Sequence, residues 1–96
     1  MSKIHVATIM QTSIVAPCQW EGRTDDNRPC YIRLRRGWLR VKIGSRGADI
    51  QNAVNAEPVF EEYYGTGEEG EVLDFNELRD RLTGVVVLPE TCAVEP

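Results

Sequence analysis

Histidine, cysteine and long apolar runs are scarce in this chain, and each scarcity excludes a class of protein. The 96 residues include one histidine and three cysteines, His5, Cys18, Cys30 and Cys92, with no C-x-x-C pair. Zinc sites need about four closely spaced ligands, and small secreted scaffolds are much denser in cysteine. We therefore expect no metal, no cofactor and three thiols in a reducing compartment.

No uninterrupted stretch approaches the roughly 18 apolar residues that a membrane helix needs. The most apolar stretch, residues 4–16, contains histidine, glutamine, threonine and serine. These polar residues favour a strand over a secretory signal. We expect a cytoplasmic protein with no membrane contact.

Signatures of catalysis are also missing. Phosphate loops of the Walker or Rossmann type are absent, and the acids between positions 57 and 74 lack the spacing of a calcium loop. Nothing in the sequence pairs His5 with a thiol or a serine, although nucleophilic catalysis needs a base beside its nucleophile. The sequence predicts that the protein is not an enzyme. A small enzyme stays open as an alternative that requires His5 near a thiol or a carboxylate in the fold.

Charge is present in quantity and unevenly placed. The net charge is −4. Residues 1–48 hold nine basic and three acidic side chains, whereas residues 49–96 hold two basic and twelve acidic ones. Such asymmetry predicts a bipolar surface, or two faces that meet different partners.

The length and the apolar pattern predict one small α+β domain over residues 1–89, followed by a tail over residues 90–96. We expect a mostly antiparallel sheet with a central hairpin over residues 30–44. Further strands are predicted over 4–10, 13–20 and 85–88, with a loop over 21–29. Helices are predicted over 48–56 and 75–83, the second capped by Asp74. Residues 58–64 fit a strand or a helical turn.

The hairpin has a register that the sequence alone specifies. Turning at Arg36 and Gly37 places Leu34 opposite Leu39, and the same register places Ile32 opposite Val41. All aliphatic residues of both strands then share one face. The other face collects basic and aromatic side chains. We call the candidate binding residues there the basic–aromatic face: Tyr31, Arg33, Arg35, Arg36, Trp38, Arg40, Lys42 and Arg46.

Two interpretations of the basic–aromatic face follow. Like charges across a strand pair repel one another, so their retention favours a binding role, and arginine forks suit phosphates and carboxylates. An exposed tryptophan can stack on a base or anchor a protein interface. The alternative is a solvent-facing side of the sheet that the protein's own acidic half neutralises.

The sequence IGSRGADIQNAV at residues 43–54 resembles the I-G-x-x-G-x-x-I core of KH domains. In that family the G-x-x-G loop opens a helix and clamps the backbone of a single strand. The resemblance implies a single-stranded RNA- or DNA-binding module that uses the loop at residues 44–47. It departs from the family in one respect, because residues 38–43 alternate like a strand where the family has a helix.

The sequence YIRLRRGWLRVKI at residues 31–43, followed by an acidic segment and the ELR helix at residues 77–79, resembles small phage and mobile-element proteins. Inhibitors of host defence, anti-CRISPR proteins among them, belong to that group. The resemblance implies a non-catalytic inhibitor that binds a host nucleoprotein machine such as a CRISPR effector. Docking would use the basic–aromatic face or an acidic face that mimics nucleic acid. The residues of that acidic face are Glu61, Glu62, Glu68, Glu69 and Glu71. The sequence leaves the oligomeric state open.

Overall fold

The computed structural model describes residues 3–13, 18–35, 37–63, 74–90 and 92–94. The strands are β1 (Ile4–Ser13), β2 (Cys18–Thr24), β3 (Pro29–Arg35), β4 (Trp38–Ile43), β5 (Pro58–Tyr63), β6 (Val86–Val87) and β7 (Ala93–Val94), and the helices are α1 (Ile50–Val54) and α2 (Phe75–Leu82). The radius of gyration is 12.3 Å. A compact chain of this length has a radius of about 12.5 Å, so the fold is one small domain.

All the strands described belong to one sheet, in the order β5-β4-β3-β2-β1-β6, with β7 also paired to β1. The pairs from β1 through β5 are antiparallel. Both β6 and β7 run parallel to β1. The sheet is therefore mixed, and the α+β prediction holds in a strand-dominated form.

The predicted hairpin is confirmed together with its register. Strands β3 and β4 pair with Leu34 opposite Leu39 and Ile32 opposite Val41. Both leucines and Ile32 are buried in the core, as one consistent apolar face requires. Gly37 supplies the positive φ of 82° that the tight connection needs.

One face of the sheet carries the core. Trp20, Ile32 and Val41 are fully buried there. Helix α2 covers this face with Leu78 and Leu82. Its start is fixed by Asp74, whose side chain accepts a hydrogen bond from the Glu77 amide, as the capping pattern predicts.

Helix α1 lies on the opposite face of the sheet. Lys42, which points away from the core, donates from Nζ to the carbonyl of Val54 over 3.0 Å. Arg23, on the same side of β2, donates from Nη2 to the carbonyl of Ala48 over 2.5 Å. The helix is shorter than predicted, and Asp49 caps it by accepting from the Asn52 amide.

Strand β1 is irregular near Gly22, opposite Thr24 and Arg23 of β2. The pairing of β1 with β2 shifts register between Val6 and Thr8. A Cβ atom on Gly22 would lie 2.1 Å from the carbonyl oxygen of Thr8. Only glycine fits at this position, because the two backbones approach too closely for any side chain.

Several predicted bounds are corrected by pairing between distant segments. The predicted loop over 21–29 is wrong in its first part, because β2 continues to Thr24 beside both neighbours. Residues 58–64, left open by their pattern, contain β5, since they pair with β4. The predicted tail over 90–96 includes β7, which adds to β1.

Candidate functional site

The basic–aromatic face does not act as one surface, because neighbouring elements cover part of it. Tyr31 is 7% exposed, and its hydroxyl donates to Gln19 Oε1 over 2.8 Å. Burial, the principal cause, raises the pKa of Tyr31. The ammonium of Lys42 is held by the end of α1. Lys42 therefore joins β4 to the end of α1, while Tyr31 is buried and bonded to β2.

Arg46 is separated from the hairpin face by its own contacts. Its Nε donates to the carbonyl of Asp26 over 3.1 Å, and its Nη2 lies 3.4 Å from the Asp26 carboxylate. Asp26 also accepts from Arg28 in the turn between β2 and β3. Arg46 therefore fastens two loops together. Arg36, which the sequence predicts in the hairpin turn, lies outside the described residues.

Arg35, Trp38 and Arg40 lie in a cluster at the turn end of the hairpin, whereas Arg33 is half-buried beside Tyr31. Trp38 and Tyr63 are opposite each other on β4 and β5. Their ring centroids are 5.3 Å apart, with an interplanar angle of 62°. Trp38 is 38% exposed and Tyr63 is 45% exposed. An edge-to-face pair of this kind is a favourable contact between the two rings. That contact does not require the rings to be exposed, so it does not account for their exposure.

Charged side chains flank the aromatic pair. The guanidinium carbon of Arg40 lies 5.5 Å from the Trp38 ring centroid, and its Nε bonds to the carboxylate of Glu61 on β5. Arg35 is opposite Trp38 on β3 and is exposed. We call this cluster the Trp38 patch; it consists of Arg35, Trp38, Arg40, Glu61 and Tyr63.

The sequence could not reveal the contribution of β5 to this patch. Tyr63 and Glu61 are more than 20 positions from the residues that they contact. Their acidic and ambiguous segment gives no signal for pairing with a basic hairpin. Opposite charge is the one sequence feature that is consistent with the β4–β5 pairing, and by itself it does not specify the register.

The acidic face is described in part. Glu61 and Glu62 lie exposed on β5, where Glu61 neutralises Arg40. Glu68, Glu69 and Glu71 lie outside the described residues. The two charged halves of the sequence thus meet at the β4–β5 pair, which mixes their charges on this part of the surface.

The loop at residues 44–47 has most of its backbone amides engaged. The amide of Gly44 donates to the Pro29 carbonyl over 2.9 Å, and that of Ser45 donates to Asn52 Oδ1 over 2.7 Å. The amide of Gly47 donates to the Asn27 carbonyl over 2.8 Å. Donors used in this way do not face a phosphate. A strand, β4, also precedes the loop where the KH family has a helix.

The residues considered for catalysis differ in their exposure. His5 is exposed on β1, while Cys18 and Cys30 are buried. Burial raises the pKa of the Cys30 thiol to about 12, which disfavours its nucleophilic thiolate form. Burial also raises the pKa of Cys92. Within the described ranges, no cluster of three or more potential metal ligands occurs.

Neither helix of the described chain has the length and apolar character to cross a membrane. In comparisons with known proteins, no family model, no curated protein and no solved structure matches this chain.

Proposed function

We propose that this is a non-catalytic binding protein that docks on a protein partner through the Trp38 patch. The observation that carries the proposal is the exposed Trp38–Tyr63 pair with arginines at its border. Tryptophan, tyrosine and arginine are the residues most enriched at energetic hot spots of protein interfaces. Rigid sheet strands hold all of them, so docking orders little additional chain.

A protein partner fits the patch better than a nucleic acid does. Within the patch, Glu61 neutralises Arg40. A phosphate chain would have to pass this carboxylate, and domains that bind nucleic acid alone are usually basic overall. The loop at residues 44–47 adds no phosphate-binding amides to this balance. The resemblance at residues 31–43 implies that this protein is an inhibitor and that its partner is a host nucleoprotein machine in the cytoplasm. The resemblance alone supports that choice of partner.

Affinity capture tests the proposal. The tagged protein is incubated with nuclease-treated bacterial lysate beside the W38A/Y63A double variant. Val87 provides a matched control, because it is 38% exposed, as Trp38 is, and lies on β6 away from the patch. We expect a stoichiometric protein captured by the wild type and by V87A and lost from W38A/Y63A.

Circular dichroism and urea unfolding verify that the double variant is folded. Equal capture by the folded W38A/Y63A protein would refute docking through the patch. A second capture uses lysate that has not been treated with nuclease, at low salt. Recovery of nucleic acid instead of protein from that lysate would favour the nucleic-acid-binding alternative.

A further inference from the structure

Arg33 carries a buried donor that the described residues leave unpaired. Its Nε is inaccessible to solvent and has no hydrogen-bond partner. The guanidinium contacts the hydroxyl of Tyr31, which is itself bonded to Gln19. An unpaired buried donor costs about 1–3 kcal/mol, and more when the group is charged. Because Nε itself is closed to solvent, a ligand would have to bind Arg33 through the exposed part of its half-buried side chain.

A second guanidinium stands beside it. Arg35 follows two positions along β3, so the two side chains point to the same side, with Cα atoms roughly 6.6 Å apart. Arg35 is exposed, and no salt bridge joins either arginine to an acid among the described residues. We call Arg33 and Arg35 the arginine pair.

Among the described residues, no acid lies directly opposite either member of the arginine pair. Opposite Arg33 on β4 is Arg40, another cation, whose acidic partner is Glu61. Opposite Arg33 on β2 is Gln19, and Glu21 on that strand is opposite Tyr31. Cations this close repel one another, and an anion between them would add an attraction to each that offsets this repulsion.

We propose that the arginine pair binds a carboxylate of an acidic side chain on the protein partner. The proposal rests on the proposed function, because Arg35 belongs to the Trp38 patch and is opposite Trp38. Arginine forks bind carboxylates through two parallel hydrogen bonds. An acidic residue next to an apolar one on the partner would then place its carboxylate on the arginines and its neighbour on the aromatic pair.

Arginine side-chain NMR tests the site without knowledge of the partner. Protein labelled with ¹⁵N-arginine is titrated with poly-L-glutamate at constant ionic strength, and the Nε–H signals are followed. We expect saturable shifts of Arg33 and Arg35. Arg46 should stay unshifted, because Asp26 already occupies it.

Two variants make the titration specific. The R33Q/R35Q double variant should bind poly-L-glutamate at least tenfold more weakly, while R46Q, which removes one exposed cation elsewhere, should keep the wild-type affinity. A parallel titration with oligothymidylate of fifteen nucleotides supplies phosphates in place of carboxylates. We expect weaker binding of the oligothymidylate.

The outcomes separate this proposal from the one before it. An arginine pair that ignores poly-L-glutamate, or prefers oligothymidylate, overturns the carboxylate site. Partner capture that still depends on Trp38 and Tyr63 would leave the proposed function standing in that case. Conversely, a titration that behaves as expected, together with capture that survives W38A/Y63A, would support the site and refute the proposed docking patch.

Discussion

At the scale of single residues, Gly22 shows how one backbone contact sets a requirement on the sequence. We predict that G22A lowers the free energy of unfolding by about 2 kcal/mol or more, because its methyl group would overlap the Thr8 carbonyl. G84A is the matched control, since nothing lies within 4 Å of a Cβ atom at Gly84. Urea unfolding measures both. A G22A protein as stable as G84A would show that β1 and β2 do not approach as described.

Asp26 gives a prediction about pH. A hydrogen bond from the Thr24 hydroxyl is the largest of the interactions that lower the pKa of Asp26 from 3.8 to about 2, and Arg28 and Arg46 add to it. A carboxyl group whose pKa is lower in the folded state stabilises the fold above its unfolded pKa. That contribution is lost as the pH falls through the folded value.

We therefore expect D26N to be less stable than the wild type at pH 6, with the difference shrinking between about pH 4 and pH 2. D25N is the control, since Asp25 lies exposed in the same turn and its side chain makes no ion pair with the described residues. Urea unfolding across the pH range provides the measurement. A stability difference that stays constant down to pH 2 would contradict the role assigned to the carboxylate.

At the scale of elements, α2 depends on its cap and its apolar stripe. The Asp74 side chain accepts from the Glu77 amide over 2.9 Å. We predict that D74A costs about 1 kcal/mol of unfolding free energy, the usual loss for an N-cap. N76A, at an exposed position in the same helix, should change stability by a few tenths of that amount. Equal effects of the two substitutions, measured by urea unfolding, would argue that the cap does not fix the helix start.

The same scale explains what the sequence predicts and what it does not. The β3–β4 hairpin follows from alternation and a short turn, which are local. The pairing of β5 with β4 brings Glu61 to Arg40 across the intervening α1, and nothing in residues 58–64 specifies that neighbour. Strand β7 is two residues long, which is too short for a periodic pattern. It is identified only by its pairing with β1.

In the candidate site, too, the sequence predicts what depends on local alternation and misses what depends on contacts between distant segments. The sequence predicts that Trp38, Arg35 and Arg40 share one side of the sheet, because strand alternation fixes that side. It could not show that the end of α1 accepts a hydrogen bond from Lys42, since that contact depends on the path of a separate helix, nor that Tyr31 is buried. It also could not supply Tyr63, the residue that completes the aromatic pair.

At the scale of the whole molecule, the charge asymmetry of the sequence does not become two separate poles at the described sheet edge. Strand β5 from the acidic half is inserted beside β4 from the basic half, and Arg40 meets Glu61 there. Among the described residues, no acid forms a salt bridge with the arginine pair, and the aromatic pair stays exposed beside it. This combination of apolar rings, neutralised charge and spare guanidinium groups is suited to a protein surface with acidic side chains.

Site-specific photocrosslinking is the most direct test of whether the protein docks on its partner through the Trp38 patch. Tyr63 is replaced by p-benzoylphenylalanine, which keeps an aromatic ring beside Trp38, and Val87 is replaced likewise in a control protein. Each protein is mixed with nuclease-treated lysate and irradiated. We expect one discrete protein adduct from position 63 and none from position 87. An adduct of equal yield from position 87, or none from position 63 while the unmodified protein still captures its partner, would contradict docking through the Trp38 patch.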